Sequence, residues 1–211
     1  EETGLILPIG RWVLLTACRQ IREIQELSGV SLRIAVNLSA KQFRDVGLVA
    51  LIAQLLTDIG LDPKLLELEI TESVLMENID SATKTLRSLR KMGLTLAIDD
   101  FGTGYSSLSY LHHFPIQRLK VDKTFVRRLS THPEDSAITE AIIVMAHTMG
   151  IKVVAEGIEN TQELDFLTAK KCDEAQGFYF SRPLTIEQLS ERINDRARAQ
   201  TFCFFDASSR N

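Results

Sequence analysis

The stretch Leu94-Thr-Leu-Ala-Ile-Asp-Asp-Phe-Gly-Thr-Gly104 decides the fold. An apolar run of strand length, Leu94 to Ile98, leads directly into two adjacent acids, Asp99 and Asp100, and a glycine-bounded turn. Three other segments share this layout: Glu69-Ile-Thr-Glu72, Lys120-Val-Asp122 and Val154-Ala-Glu-Gly157. Each lies at or just after an apolar run and carries charge. The ends of buried parallel strands are where α/β barrels place their chemistry. Carboxylates gathered at such a rim suit hard divalent cations.

Working outward, the same strand-then-helix alternation covers the chain. Six strands are predicted, at Leu32–Leu38, Leu65–Ile70, Leu94–Asp99, Arg118–Val121, Lys152–Glu156 and Gly177–Phe180. Helical patterns occupy about 47–59, 78–91, 105–113, 135–149, 161–170 and 185–198. An amphipathic helix over Ile9–Glu26 precedes them, with Trp12, Leu15, Ile21 and Ile24 as its core stripe. Gly60, Gly93 and Gly150 stand where helices must stop. Thr185 and Gln188 have capping-box spacing. Alternation of this kind implies a parallel sheet covered by helices, either open and doubly wound or closed into a barrel. No strand runs into G-x-G-x-x-G, and polar residues come from several strand ends, which favours the barrel. A closed barrel of this class needs eight strands. Six are present, so the expected fold is a modified (β/α)8 TIM-like barrel with its first two strands missing from this chain. Open sheet edges of that kind predict that the stretch by itself is unstable or associates. The end, Thr201–Asn211, changes character, with Phe202, Phe204 and Phe205 close together.

Composition narrows the function classes. The chain has 211 residues, 45% hydrophobic and 25% charged, with a formal net charge of −4. That is ordinary for a soluble domain and argues against a general nucleic-acid surface. Cys18, Cys172 and Cys203 are too few and too scattered for a disulfide framework or a zinc cage, and fit a reducing cytoplasmic compartment. His112, His113, His132 and His147 show no metal-ligand spacing. No apolar run is long enough to span a membrane.

Strand periodicity groups the remaining candidates. Glu67, Glu69 and Thr71 share a face opposite Leu66, Leu68 and Ile70. Asn37 opposes Val36 and Leu38, Lys120 and Asp122 oppose Leu119 and Val121, and Glu156 lies opposite Ala155. Converged on one axis, Asn37, Glu69, Asp99, Asp100, Lys120, Asp122, Glu156 and Gln176 form a polar rim rich in carboxylates. Unmetallated acids at that density repel one another, and divalent cations resolve the conflict. An all-oxygen donor set suits Mg²⁺ or Mn²⁺. Asp99-Asp100 is placed to bridge two ions, the usual device for in-line displacement at phosphorus. Taken singly, each acid reads more readily as a solvated loop residue or a helix N-cap than as a ligand, and Lys120 as a barrel ion pair; it is the joint pattern that points to a site. Asp100-Phe-Gly102 matches the kinase metal motif, but no glycine-rich loop or H-R-D element accompanies it.

At these residues the chain resembles the EAL-domain family of cyclic di-GMP phosphodiesterases, from its first residue to about Leu184. The blocks are Glu1-Glu-Thr-Gly-Leu-Ile, Val36-Asn-Leu-Ser39, Glu69-Ile-Thr-Glu72, Asp99-Asp-Phe-Gly-Thr-Gly-Tyr-Ser-Ser107, Lys120-Val-Asp122, Ala155-Glu-Gly157 and Gln176-Gly-Phe-Tyr-Phe-Ser-Arg-Pro183. The resemblance implies an EAL domain over 1–200, a tail over 201–211, and a barrel with one antiparallel strand. It implies hydrolysis of cyclic di-GMP to linear pGpG with two Mg²⁺ or Mn²⁺ ions, in bacterial second-messenger signalling and biofilm control. Asn37, Glu69, Asp99, Asp100 and Glu156 would hold metal. Lys120 and Glu156 would orient or deprotonate the attacking water, and Asp122 and Gln176 would face substrate. Glu72 would brace the Asp100–Ser107 loop, which in the family links metal binding to dimer contacts. Implied partners are cyclic di-GMP, a second copy in a homodimer, and upstream sensory or GGDEF domains. A cytoplasmic location follows, with any membrane tether upstream. The family's Glu-Ala-Leu motif, which supplies a metal ligand, and a nearby substrate-contacting Arg lie upstream of the block that opens this chain. Neither is in the sequence, so a catalytically inactive module that binds cyclic di-GMP or a partner protein is the alternative.

Overall fold

The computed structural model describes residues 4–103, 108–129 and 131–198. Six parallel strands pair strictly in chain order: β1 (Ile34–Asn37), β2 (Leu66–Thr71), β3 (Thr95–Phe101), β4 (Arg118–Val121), β5 (Lys152–Glu156) and β6 (Glu174–Gln176). Parallel neighbours need a crossover on one face, and helices supply it. Ten α-helices are described: α1 (Ile6–Ser28), α2 (Ala40–Phe43), α3 (Leu48–Ile59), α4 (Glu72–Met76), α5 (Ile79–Lys91), α6 (Leu108–Leu111), α7 (Lys123–Val126), α8 (Pro133–Thr148), α9 (Thr161–Ala169) and α10 (Ile186–Arg198). The result is a curled α/β half-barrel. The antiparallel strand that the resemblance implies is not among the six.

The core lies between the sheet's outer face and the helices. Leu66, Leu68, Leu96, Ile98 and Leu119 pack there against Ile52, Leu86 and Leu89 from the helices. Each such side chain contributes about 1.5–3 kcal/mol by leaving water. The opposite face of the central strands is also shielded, but its residues are charged: Glu67, Glu69, Asp99, Arg118 and Lys120 are all buried.

The helix stops fall where glycine permits them. Gly60, Gly93 and Gly150 adopt φ of 69°, 98° and 70°, the left-handed conformation that ends a helix without a Cβ clash. The Thr185–Gln188 capping box forms, with Thr185 N–H donating to Gln188 Oε1 at 2.9 Å and Gln188 N–H to Thr185 Oγ1 at 3.3 Å. The expected helix over 105–113 is α6, and residues 104–107 lie outside the described residues. The tail over 201–211 lies outside them as well.

Two expectations are corrected. Trp12 is 64% exposed, and the buried stripe of α1 is Leu14, Cys18, Ile21 and Ile24. At 100° per residue Trp12 lies about 200° from Leu14, on the far side of the helix. The last strand is Glu174–Gln176, not Gly177–Phe180. Its register, Val154↔Glu174 to Glu156↔Gln176, uses up the end of β5. Gly177 then crosses Ile158 so closely that a Cβ would lie 2.2 Å from the Ile158 carbonyl oxygen. The chain turns there, with Phe180 N–H donating to the Gly177 carbonyl, and the aromatic run Phe178–Phe180 is left exposed.

Candidate metal centre

In-register pairing brings the strand ends to one level. Asn37 pairs with Glu69 across β1 and β2, and Thr71 pairs with Asp99 across β2 and β3. Gln176 pairs with Glu156 across β6 and β5. Asn37 and Gln176 sit on the two outermost strands and are exposed, while Glu69 and Asp99 are buried.

The centre of this rim is Lys120. Its Nζ lies 2.6 Å from Glu156 Oε1, 2.7 Å from Glu69 Oε2 and 3.1 Å from Asp99 Oδ1. Burial works against the ammonium charge, but hydrogen bonds to Glu156 and Glu69 outweigh it and hold the Lys120 pKa well above its ordinary value. Burial pushes the Glu69 and Glu156 pKa values up, with Lys120 opposing and the neighbouring acids adding to the rise. Lys120 alone therefore leaves the acidic cluster short of positive charge.

A bulge aims the paired aspartates. Register between β3 and β4 shifts between Ile98 and Phe101, and Asp100 adopts φ 54°. Aspartate tolerates that left-handed conformation better than most residues. The extra residue breaks strict alternation, so Asp99 and Asp100 both reach the rim rather than opposite faces. One carboxylate oxygen from each of Asp99, Asp100 and Glu156 can be chosen within 4.8 Å of the others. Partial burial of its carboxyl raises the Asp100 pKa, and the charges of Asp99 and Asp122 raise it further, although the residue as a whole is exposed. Asp122 moves the other way. Burial opposes the shift, but hydrogen bonds from the Thr124 hydroxyl and backbone N–H, and from Asp100, lower its pKa. Asp122 also caps α7 through Thr124 N–H at 2.8 Å. The two neighbouring acids are thus shifted in opposite directions.

These donors fit a hard divalent cation. They are all oxygen, mostly anionic and partly shielded from water, and the burial and neighbouring charges that raise the Glu69, Asp100 and Glu156 pKa values are what a cation relieves. Glu72 is buried at the first position of α4, and most of the loop it is expected to brace lies outside the described residues. The histidines take no part. His147 Nε2 meets Asp173 Oδ2 at 2.8 Å, and the His112 and His113 ring centroids lie 3.8 Å apart with the planes tilted by 38°.

A second charged layer was not foreseen. Arg118 Nε lies 3.1 Å from Glu67 Oε2, and its terminal nitrogens donate to both carboxylate oxygens of Glu174. The only advance signal was Glu67, which shares a strand face with Glu69.

A family model described as EAL domain matches residues 1–183. The chain belongs to the EAL domain family. It is 49% identical over 193 residues to signaling protein YkoW of Bacillus subtilis, covering 92% of this chain and 24% of that protein. It is 45% identical over 189 residues to the bifunctional diguanylate cyclase/cyclic di-GMP phosphodiesterase MucR of Pseudomonas aeruginosa, covering 90% of this chain and 28% of that protein. The chain thus spans about a quarter of the length of these curated relatives, 24% and 28%. Among solved structures, PaMucR phosphodiesterase in complex with c-di-GMP superposes with a TM-score of 0.87 at 45% identity. That match covers 90% of this chain and 76% of that one. Within the EAL family, then, this chain carries the strand-end acids and the barrel lysine at a single rim.

Proposed function

We propose that this EAL domain is the metal-binding and catalytic part of a phosphodiesterase that opens one phosphodiester of cyclic di-GMP to give linear pGpG. The observation that carries this reading is the convergence of Glu69, Asp99 and Glu156 on Lys120, beside the Asp99–Asp100–Glu156 cluster. The naming of the relative MucR as a cyclic di-GMP phosphodiesterase supports it.

Asn37, Glu69, Asp99, Asp100 and Glu156 would hold two Mg²⁺ or Mn²⁺ ions. Bound there, the ions would supply positive charge opposite the phosphodiester and lower the pKa of the attacking water. Lys120 does not act as the base, because hydrogen bonds to its carboxylate partners keep it protonated. It orients the attacking water and stabilises charge developing on the phosphoryl oxygens. Glu156 takes the proton from that water, a role suited to a carboxylate whose pKa is raised by burial. Asp122 and Gln176 face the substrate, and Glu72 steadies the loop after Asp100. We extend the proposal to a homodimer that works in the cytoplasm as one module of a longer signalling protein.

Incubation with cyclic di-GMP and Mn²⁺, followed by chromatography for pGpG, is the test. Product from the wild type, and none from Glu69→Ala or Asp99→Ala, is expected. Turnover by either variant at the wild-type rate would refute the site. Tight binding with no product would favour a sensor over an enzyme.

A further inference from the structure

The proposed chemistry uses the rim but not the charged layer one pleat below it. Arg118, buried at 5% exposure, clamps Glu67 and Glu174. Arg33, just before β1, approaches the same two acids at 3.5 Å and 3.9 Å. Two arginines thus balance two carboxylates in a region where apolar packing would be the less costly filling.

The placement is what matters. Glu67, Arg118 and Glu174 come from β2, β4 and β6, and β3 and β5 separate those strands. Backbone hydrogen bonds fix only neighbouring strands. Spacing between alternate strands is set by side chains meeting in the interior. Each member of the layer also stands two residues before a rim residue: Glu67 before Glu69, Arg118 before Lys120, Glu174 before Gln176. Residues so spaced share a face about 7 Å apart. A planar guanidinium that forks onto Glu174 fixes direction as well as distance, which a flexible ammonium does not, while its Nε holds Glu67 as an ion pair at 3.1 Å.

We propose that Arg118 is a positioning residue for the cation-binding rim, fixing the separation of Glu69, Lys120 and Gln176 by clamping Glu67 and Glu174 beneath them. The inference rests on the reading of the rim as a divalent-cation site.

The test uses the full chain and measures Mn²⁺ affinity by titration calorimetry alongside the thermal midpoint. Arg118→Lys keeps the charge but loses the fork. It is expected to stay folded and to bind Mn²⁺ about tenfold more weakly, the lower end for residues that support metal ligands. The combined variant Glu67→Gln/Arg118→Met/Glu174→Gln leaves no unpaired buried charge. It is expected to regain the thermal midpoint without regaining Mn²⁺ affinity. Wild-type affinity in Arg118→Lys, or recovery of affinity together with the midpoint in the combined variant, would show the layer to be filling only. No Mn²⁺ binding by the wild type would sink the reading of the rim itself, and this inference with it.

Discussion

Lys120 Nζ lies 2.6 Å from Glu156 Oε1, on the adjoining strand of the sheet. This contact makes one side chain the only ammonium partner, among the described residues, of three rim carboxylates on β2, β3 and β5. The rim is thus built around one positive charge set against three carboxylates.

Lys120→Met should therefore leave the acids without a partner. Removing one side of a buried charge pair costs about 3–5 kcal/mol. The variant should melt well below the wild type in EDTA and recover much of the loss in Mn²⁺, which replaces the missing charge. Equal melting of variant and wild type in EDTA would mean that the ammonium adds nothing to the fold.

The pH dependence has a definite sign. Glu67, Glu69 and Glu156 have pKa values raised in the folded state, chiefly by burial. The folded protein binds protons more tightly than the unfolded chain, so their contribution is greatest below the ordinary glutamate range and is lost as pH rises through the folded values. Asp122, whose pKa is lowered, contributes in the opposite sense, since its stabilisation is lost as pH falls. With four raised acids, Asp100 among them, against Asp122 and the exposed Glu187, metal-free protein should be more stable at about pH 5 than at about pH 7. Added Mn²⁺ should shrink or reverse the difference. Denaturant midpoints across that range check it.

Asp100 combines a backbone role and a ligand role, and two substitutions separate them. Asn also tolerates the left-handed conformation at φ 54°, whereas Ala does so poorly. Asp100→Asn should keep stability within about 0.5 kcal/mol and lose Mn²⁺ affinity, while Asp100→Ala should lose affinity and about 1 kcal/mol of stability as well. Loss of affinity in neither variant would remove Asp100 from the ligand set.

Thr139, on α8, is fully buried, and its hydroxyl finds no hydrogen-bond partner among the described residues. A buried polar atom left unpaired costs about 1–3 kcal/mol. Thr139→Val keeps the shape and removes the polar atom, so it should raise stability by about 1 kcal/mol with no effect on Mn²⁺ binding. Thermal denaturation of the two proteins compares them directly.

Much of the fold was legible because local patterns and long-range packing agree. The apolar runs at Arg118–Val121 and Lys152–Glu156 are strands with those bounds. Trp12 was misplaced because an apolar residue on a helix does not say which side meets the sheet. The last strand was misplaced because Phe178, Tyr179 and Phe180 have strand propensity, which the close crossing of Gly177 over Ile158 overrides.

By itself, the order of residues determined that polar groups end successive parallel strands and face one way. Period-two alternation and glycine helix stops are local steric facts that any fold of this chain must respect. Only the tertiary structure decided that Lys120 sits among Glu69, Asp99 and Glu156, that a bulge turns Asp100 to the same side as Asp99, and that Arg118 joins Glu67 to Glu174. Those relations depend on curvature between strands that are not neighbours. Curvature is set by interior packing and twist summed over the whole sheet, and no short stretch of sequence encodes it.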